Sequence, residues 1–298
     1  MEMIGEFAAV ATSLAFAINS TLFTLAGRRV GSVVVNRIRL VFAFLFLALA
    51  HWIFLGFPFP THAGAQRWMW LGLSGIVGLV LGDAFLFQSF VWVGPRIAML
   101  MMSLAPVIAA VIAWVFLGEA LSPLQIIAIF VTLGGVIWVV MERNHRRGAE
   151  NENYVRGVFF GLGGATGQAV GLVLAKNGME GVFSPISGNF IRMSTALVVM
   201  WVVTLLQRKG RFSVQRVLEE RGALLSIAGG AFIGPFVGVS LSLLSLQYTE
   251  VGIASTLMAL SPIFLLPVGF FFFQERFGWG AVCGTAMALA GVAGLFLI

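Results

Sequence analysis

The sequence predicts an all-α integral membrane protein, with ten transmembrane helices arranged as two inverted five-helix repeats around a central cavity. Three observations carry that expectation. Of the 298 residues, 59% are apolar and only 10% are charged, against roughly 25% charged in soluble domains. Long apolar runs fill nearly the whole chain. The later runs repeat the earlier ones, and a duplicated unit with an odd number of spans must enter the membrane from the opposite face.

Each run approaches the ~20 residues needed to cross the hydrocarbon core. Helices are expected, because isolated strands leave backbone groups unsatisfied in lipid, and the runs are too long and too unalternating for a β-barrel. Span one, Ile4–Ala26, carries Asn19-Ser20 and is followed by Arg28-Arg29. Span two, Val33–Leu55, opens on Asn36-Arg37-Ile38-Arg39-Leu40; span three, Trp68–Trp92, holds Gly78, Gly82 and Asp83. Span four, Ile97–Leu117, contains Pro106, and span five, Pro123–Met141, runs into a polar stretch. Span six, Val155–Ala175, reads Gly163-x-x-x-Gly167-x-x-x-Gly171, a smooth face for close helix contact. Span seven, Pro185–Leu206, opens near Asn189-Phe190-Ile191-Arg192-Met193; span eight, Ala223–Leu246, has Gly230, Gly234 and Gly238. Span nine, Ile253–Phe273, contains Pro262, and span ten is Trp279–Ile298. Trp52, Trp68, Trp92, Trp138 and Trp279 fall near span ends, as interfacial anchors do. The expected organisation is one membrane domain: residues 1–142 as the first repeat, 143–154 as a charged linker, and 155–298 as the second repeat.

Co-registered residues mark the duplication. Leu104-x-Pro106, Phe116 and Glu119 recur as Leu260-x-Pro262, Phe272 and Glu275, and Gly78-x-x-x-Gly82 recurs as Gly234-x-x-x-Gly238. Loop charge tests the inversion separately, because Lys and Arg in short loops favour the cytoplasm. Odd-numbered connections and their flanks hold Arg28, Arg29, Arg37, Arg39, Arg96, Arg143, Arg146, Arg147, Arg156, Arg208, Lys209, Arg211, Arg216, Arg221 and Arg276, whereas even-numbered ones hold Arg67 and Lys176. Odd connections are therefore expected in the cytoplasm and both termini outside. Glu2 and Glu6 before the first run and arginines after it do not make a signal peptide.

Several function classes fall away. The formal charge of +6 resides in short loops beside spans, where lipid headgroups explain it better than nucleic acid. The single Cys283 excludes an intrachain disulfide. There is no phosphate-binding glycine loop, no H-E-x-x-H and no metal-ligand cluster, so no cofactor, metal or catalytic residue is expected. Gly72-Leu73-Ser74-Gly75 matches a short intramembrane-protease motif. Its serine would need a histidine base, and His51, His62 and His145 lie in or beside connections.

Polar residues inside apolar runs are costly and therefore candidate sites. Asp83 is the acidic residue set well inside a run; it would hold a substrate amine or a coupling proton, or pair with another helix. Asn19 and Gln168 occupy nearly matching places in the two halves and line a cavity or bond between helices. Phe87, one turn beyond Asp83, offers apolar area. Ser103, Ser255 and Met258 lead towards the two prolines, and thioethers adapt to varied apolar ligands. Arg39 and Arg192 attract a carboxylate, snorkel or pair. Pro106 and Pro262, near span centres, are expected to kink their helices as paired gating hinges.

Ala98-x-x-x-x-Ser103-x-x-Pro106, then Gly118-Glu119-x-Leu121-Ser122, with the echo Ala254-Ser255…Pro262…Glu275, resembles the drug/metabolite transporter superfamily of the EamA type. The overall look is similar to YddG-like amino-acid exporters, although Gln274-Glu275 replaces the Gly-Glu pair in the second half. The resemblance covers essentially the whole chain. It implies export of small metabolites, with aromatic amino acids, methionine and threonine as candidates, by a secondary transporter of the bacterial inner membrane. Exporters of drugs or other metabolites, and a passive channel or facilitator, are the alternatives. Expected partners are a small-molecule substrate and membrane lipid, and a monomer would suffice because the halves pair within one chain.

Overall fold

The computed structural model describes residues 2–61, 63–117, 122–147, 152–179, 183–248, 257–273 and 278–297, nearly all of them helical. α1 (Glu2–Val30) and α2 (Ser32–Leu55) are joined by Gly31 alone, whose φ of 92° suits a residue without a Cβ. α3 (Ala65–Ser74) continues through a π-helical segment, Gly75–Gly82, into α4 (Asp83–Val93). α5 (Pro95–Met102) and α6 (Ala105–Leu117) share the fourth predicted span but are separated by a break at Ser103-Leu104. α7 (Pro123–Arg147), α8 (Glu152–Gly178), α9 (Pro185–Leu206), α10 (Gly210–Glu219) and α11 (Arg221–Ala231) follow. A second π segment, Phe232–Gly238, leads into α12 (Val239–Tyr248), and α13 (Ser261–Phe273) and α14 (Trp279–Leu297) close the order.

Among the described residues, eight helices are long and apolar enough to cross a membrane, and the shorter apolar stretches Ser261–Phe271 and Trp279–Gly294 follow them. The first eight of the ten predicted runs are those helices, α13 and α14 correspond to the ninth and tenth, and the predicted start of span nine lies outside the described residues. Two further differences concern connections. The described residues of the charged linker are helical, because α7 runs to Arg147 and α8 starts at Glu152. The loop after span seven contains α10, which buries Ser213 and Val217 while leaving Phe212 and Leu218 exposed.

Local chemistry explains several boundaries. At the start of α7, Ser122 Oγ accepts the Gln125 amide at 3.2 Å while Gln125 Oε1 accepts the Ser122 amide at 2.9 Å. That reciprocal capping box precedes Pro123, whose missing N–H costs nothing at the first helical position. The same logic corrects the kink expected at the two prolines. Pro106 and Pro262 are each the second residue of their helices, α6 and α13, and do not kink a continuous rod. Each starts a helix after a break.

The helices pack in pairs that exchange under the sequence repeat, and the equivalent helices α2 and α9 run antiparallel. Arg37, near the start of α2, donates to Gln207 Oε1 beyond the end of α9, at 3.1 Å. His51, near the end of α2, meets Ser187 Oγ at the start of α9, at 2.9 Å. α7 and α14 are likewise antiparallel: methyl groups placed on Gly284 and Gly291 would meet Val139 and Thr132 respectively. α8 lies against the α3–α4 rod, with Gly157 near Val93, Gly167 on Gly82 and Gly178 on Leu71. Its counterpart is α1 against the α11–α12 rod, with Phe23 on Gly230 and Phe16 on Gly238.

Burial is turned inside out relative to a protein in water. Phe54, Phe130, Leu206, Leu225 and Phe271 are exposed, while Thr12, Asn36, Arg37, Arg39, Asp83 and Arg96 are buried. Such an apolar exterior is a surface for lipid. Interior hydroxyls such as Thr24 bond carbonyls of their own helix, here Ser20 O at 2.6 Å, and others reach across helices, as Ser89 does to Gly157 O at 2.8 Å.

The close approach of α8 to the α3–α4 rod depends on absent side chains. A methyl placed on Gly167 would lie 2.6 Å from the Cα of Gly82. Gly167→Leu is expected to cost about 1–3 kcal/mol, read as a lowered thermal midpoint of the detergent-purified protein. Gly229→Ala, whose methyl would meet only Leu22 at 3.7 Å, should leave the midpoint unchanged.

Candidate functional site

The two π segments are the local feature from which the site is built. In the first, the Asp83 amide donates to the Gly78 carbonyl, five residues back. That shift leaves the Leu79 carbonyl without its usual α-helical partner. Arg39 of α2 takes its place, donating from Nη2 to Leu79 O at 3.2 Å. The second segment does the same at the matching position: Val239 donates to Gly234 O, and the freed Pro235 carbonyl accepts Asn189 Nδ2 of α9 at 3.2 Å. The glycine pairs that recur between the two halves of the sequence therefore also bracket two displaced carbonyls.

Asp83 opens α4 directly after the first π segment. Its Oδ2 forms a buried ion pair with Arg39 Nη2, and its Oδ1 accepts Gln168 Nε2 of α8 at 3.0 Å. Arg39 is held on three further sides. Its Nε donates to Asn36 Oδ1 at 3.0 Å, its Nη2 to Leu79 O, and its guanidinium lies 4.8 Å from the centre of the Phe87 ring. The cation gains from the ring face. Phe87 in turn sits between Phe23 at 5.1 Å and Phe90 at 5.6 Å.

Arg192 of α9 approaches the same cluster from the second half. Its backbone carbonyl packs so tightly on Gly75 that a methyl there would collide with it. Its Nη2 lies 3.7 Å, and Gln168 Oε1 3.5 Å, from where a methyl on Gly78 would stand. The structure thus gathers Arg39, Asp83, Phe87, Gln168 and Arg192 around the first π segment.

The other expected site residues lie elsewhere. Asn19 packs on Gly234, as Gln168 packs on Gly78, so the two amides are equivalent by contact with matching glycines. Ser103 is buried in the α5–α6 break and donates to Leu100 O at 2.7 Å. Met258 precedes α13, and its carbonyl accepts Ser261 Oγ at 3.2 Å. Ser255, Glu119 and Glu275 lie outside the described residues.

Two pairings escaped the sequence reading. Asp83 finds Arg39, for which the signal was their shared burial in apolar runs. His51 is buried within α2, with Nδ1 2.6 Å from Phe57 O and Nε2 2.9 Å from Ser187 Oγ. A carbonyl can only accept, so Nδ1 donates to Phe57 O, and the Ser187 hydroxyl is the partner of Nε2. Ser74 bonds the Gly171 carbonyl at 2.6 Å and forms no dyad with His51.

A helical bundle with an apolar exterior and charges paired at its heart is an integral membrane protein. It belongs to the EamA-like transporter family, whose profile matches twice, over residues 3–141 and 155–297. That is a family of membrane transporters of small solutes, not of enzymes. A solved structure described only as the crystal structure of a protein superposes with a TM-score of 0.64, over 97% of this chain and 96% of its own, at 16% identity. At that identity the likeness concerns the fold alone. No curated protein matches the sequence significantly.

Removing one partner of a buried pair strands the other charge, a loss of about 3–5 kcal/mol in protein interiors. Asp83→Ala is therefore expected to lower the thermal midpoint sharply. The double variant Asp83→Leu/Arg39→Met, which strands nothing, should recover most of that loss in the same measurement.

Proposed function

We propose that the protein is a secondary transporter that exports small metabolites, amino acids first among them, by alternating access. The observation that carries this reading is the charged cluster. It draws α2 and α4 from one half and α8 and α9 from the other into a single polar centre, within an apolar exterior. Buried ionisable groups at such depth mark solute and ion pathways in membrane proteins. In this reading the ten spans form two inverted five-helix repeats, residues 1–142 and 155–298, that rock about a midplane site. The antiparallel pairing of α2 with α9 supports the inversion.

Asn19, Asp83, Phe87, Ser103, Gln168, Ser255 and Met258 are proposed to line the solute path. Asp83 links the halves through Arg39 and Gln168, so a rocking motion that separates α8 from α4 must break or exchange one of its bonds. The breaks before α6 and α13, each with its proline at the second helical position, are the proposed hinges. The cytoplasmic side is assigned to the odd connections, with both termini outside, and the transporting unit is the single chain in the bacterial inner membrane. Aromatic amino acids, methionine and threonine are the proposed substrates.

Counterflow in proteoliposomes is the test. Preloaded unlabelled phenylalanine, methionine or threonine should accelerate entry of the labelled solute and saturate with concentration. Flux that never saturates would instead indicate a passive facilitator. Pro106→Ala and Pro262→Ala should insert normally and slow exchange; unchanged rates in both would count against the hinges. A periplasm-dependent reporter fused to the C-terminus should be active, and activity of a cytoplasm-dependent one would reverse the topology.

A further inference from the structure

Arg39 and Arg192 are each the eighth residue of their helices, counted from Ser32 and from Pro185. Their surroundings differ in three ways. Arg39 Nε is satisfied by Asn36, whereas Asn189, the residue matching Asn36, turns its amide to Pro235 O. Arg39 has Asp83; at the equivalent position after the second π segment, Gly238 is followed by Val239. Arg39 makes three side-chain hydrogen bonds, while among the described residues Arg192 makes none and its Nε is buried without a partner.

Among the described residues two guanidinium groups thus face one carboxylate, and that carboxylate is already committed to Arg39 and Gln168. One positive charge is left over in a setting where a lone charge is costly. Guanidinium groups are matched by carboxylates through paired, charge-assisted hydrogen bonds. Arg192 is only half-buried, so part of it stays open to a partner from outside the chain.

We infer that Arg192 is the anchor for a carboxylate group of the transported solute. The inference rests on the transporter reading above and names the group that the site recognises. It also reassigns the polar ends of the solute. The anionic end pairs with Arg192, and Asp83, already bonded through both oxygens, does not receive the ammonium in this conformation.

The test uses the full chain in phosphatidylcholine liposomes, so that no anionic headgroup competes. With labelled phenylalanine, 3-phenylpropionate should compete, whereas phenylalanine amide and phenethylamine should not. Arg192→Met should raise KM roughly 10- to 100-fold, the range of a hydrogen bond to a charged group, and abolish that discrimination. Arg192→Lys, which keeps the charge but loses the fork, should be intermediate. Because Arg192→Met removes an unsatisfied charge, its thermal midpoint should equal or exceed that of the wild type. A purely structural arginine would lower it. An unchanged KM with the amide competing equally would overturn the assignment. Should the wild type move no amino acid, the amino-acid reading fails by itself, and the anchor is judged by thermal shift. 3-phenylpropionate should then stabilise the wild type and not Arg192→Met; stabilisation of both or of neither would overturn it.

Discussion

Where water is absent, every polar group needs a partner from the chain itself, and the buried pair of Arg39 and Asp83 is where that demand is greatest. Neither could lie in lipid alone. Their pairing constrains α2 against α4, and the second oxygen of Asp83 constrains α8 through Gln168. The π segment serves the same arginine. An uninterrupted α-helix would offer Arg39 no carbonyl at Leu79, and the extra residue in the turn releases one. A helical irregularity that would weaken a rod in isolation is here matched to a donor from the neighbouring helix.

Duplication supplies a template, and the departures from it are informative. Both halves keep the π segment, the bracketing glycines and an amide side chain packed on the inner glycine, Gln168 on Gly78 and Asn19 on Gly234. The donors to the freed carbonyls differ, an arginine in one half and an asparagine in the other. So do the residues that follow, Asp83 and Val239. A symmetric scaffold thus surrounds an asymmetric charge distribution.

Close packing and polarity serve different ends along the same helices. The glycine face of α8 lets it lie on the α3–α4 rod at backbone contact, as membrane helices do where water supplies no hydrophobic drive. The same glycine face meets Met101 just before the α5–α6 break, and at that break and at the start of α13 the prolines sit where their missing amides are harmless.

How much could be read from the chain differs by level. The apolar runs, the loop charges and the co-registered Gly, Pro and Glu residues determined a polytopic helical protein with internal repetition, because lipid restricts the solutions so strongly that composition nearly dictates architecture. Asp83, Gln168 and Arg192 stood out as polar residues in apolar runs for the same reason. Which arginine Asp83 would choose was not legible, since Arg39 and Arg192 occupy equivalent places in sequence and differ only in what the folded neighbours do. The π segments and the helix starts at Pro106 and Pro262 were hidden as well, because they depend on carbonyls and amides whose partners come from other helices. Tertiary structure alone decided these points, by bringing residues 39, 83, 168 and 192 into one place where Asp83 pairs with Arg39 and not with Arg192.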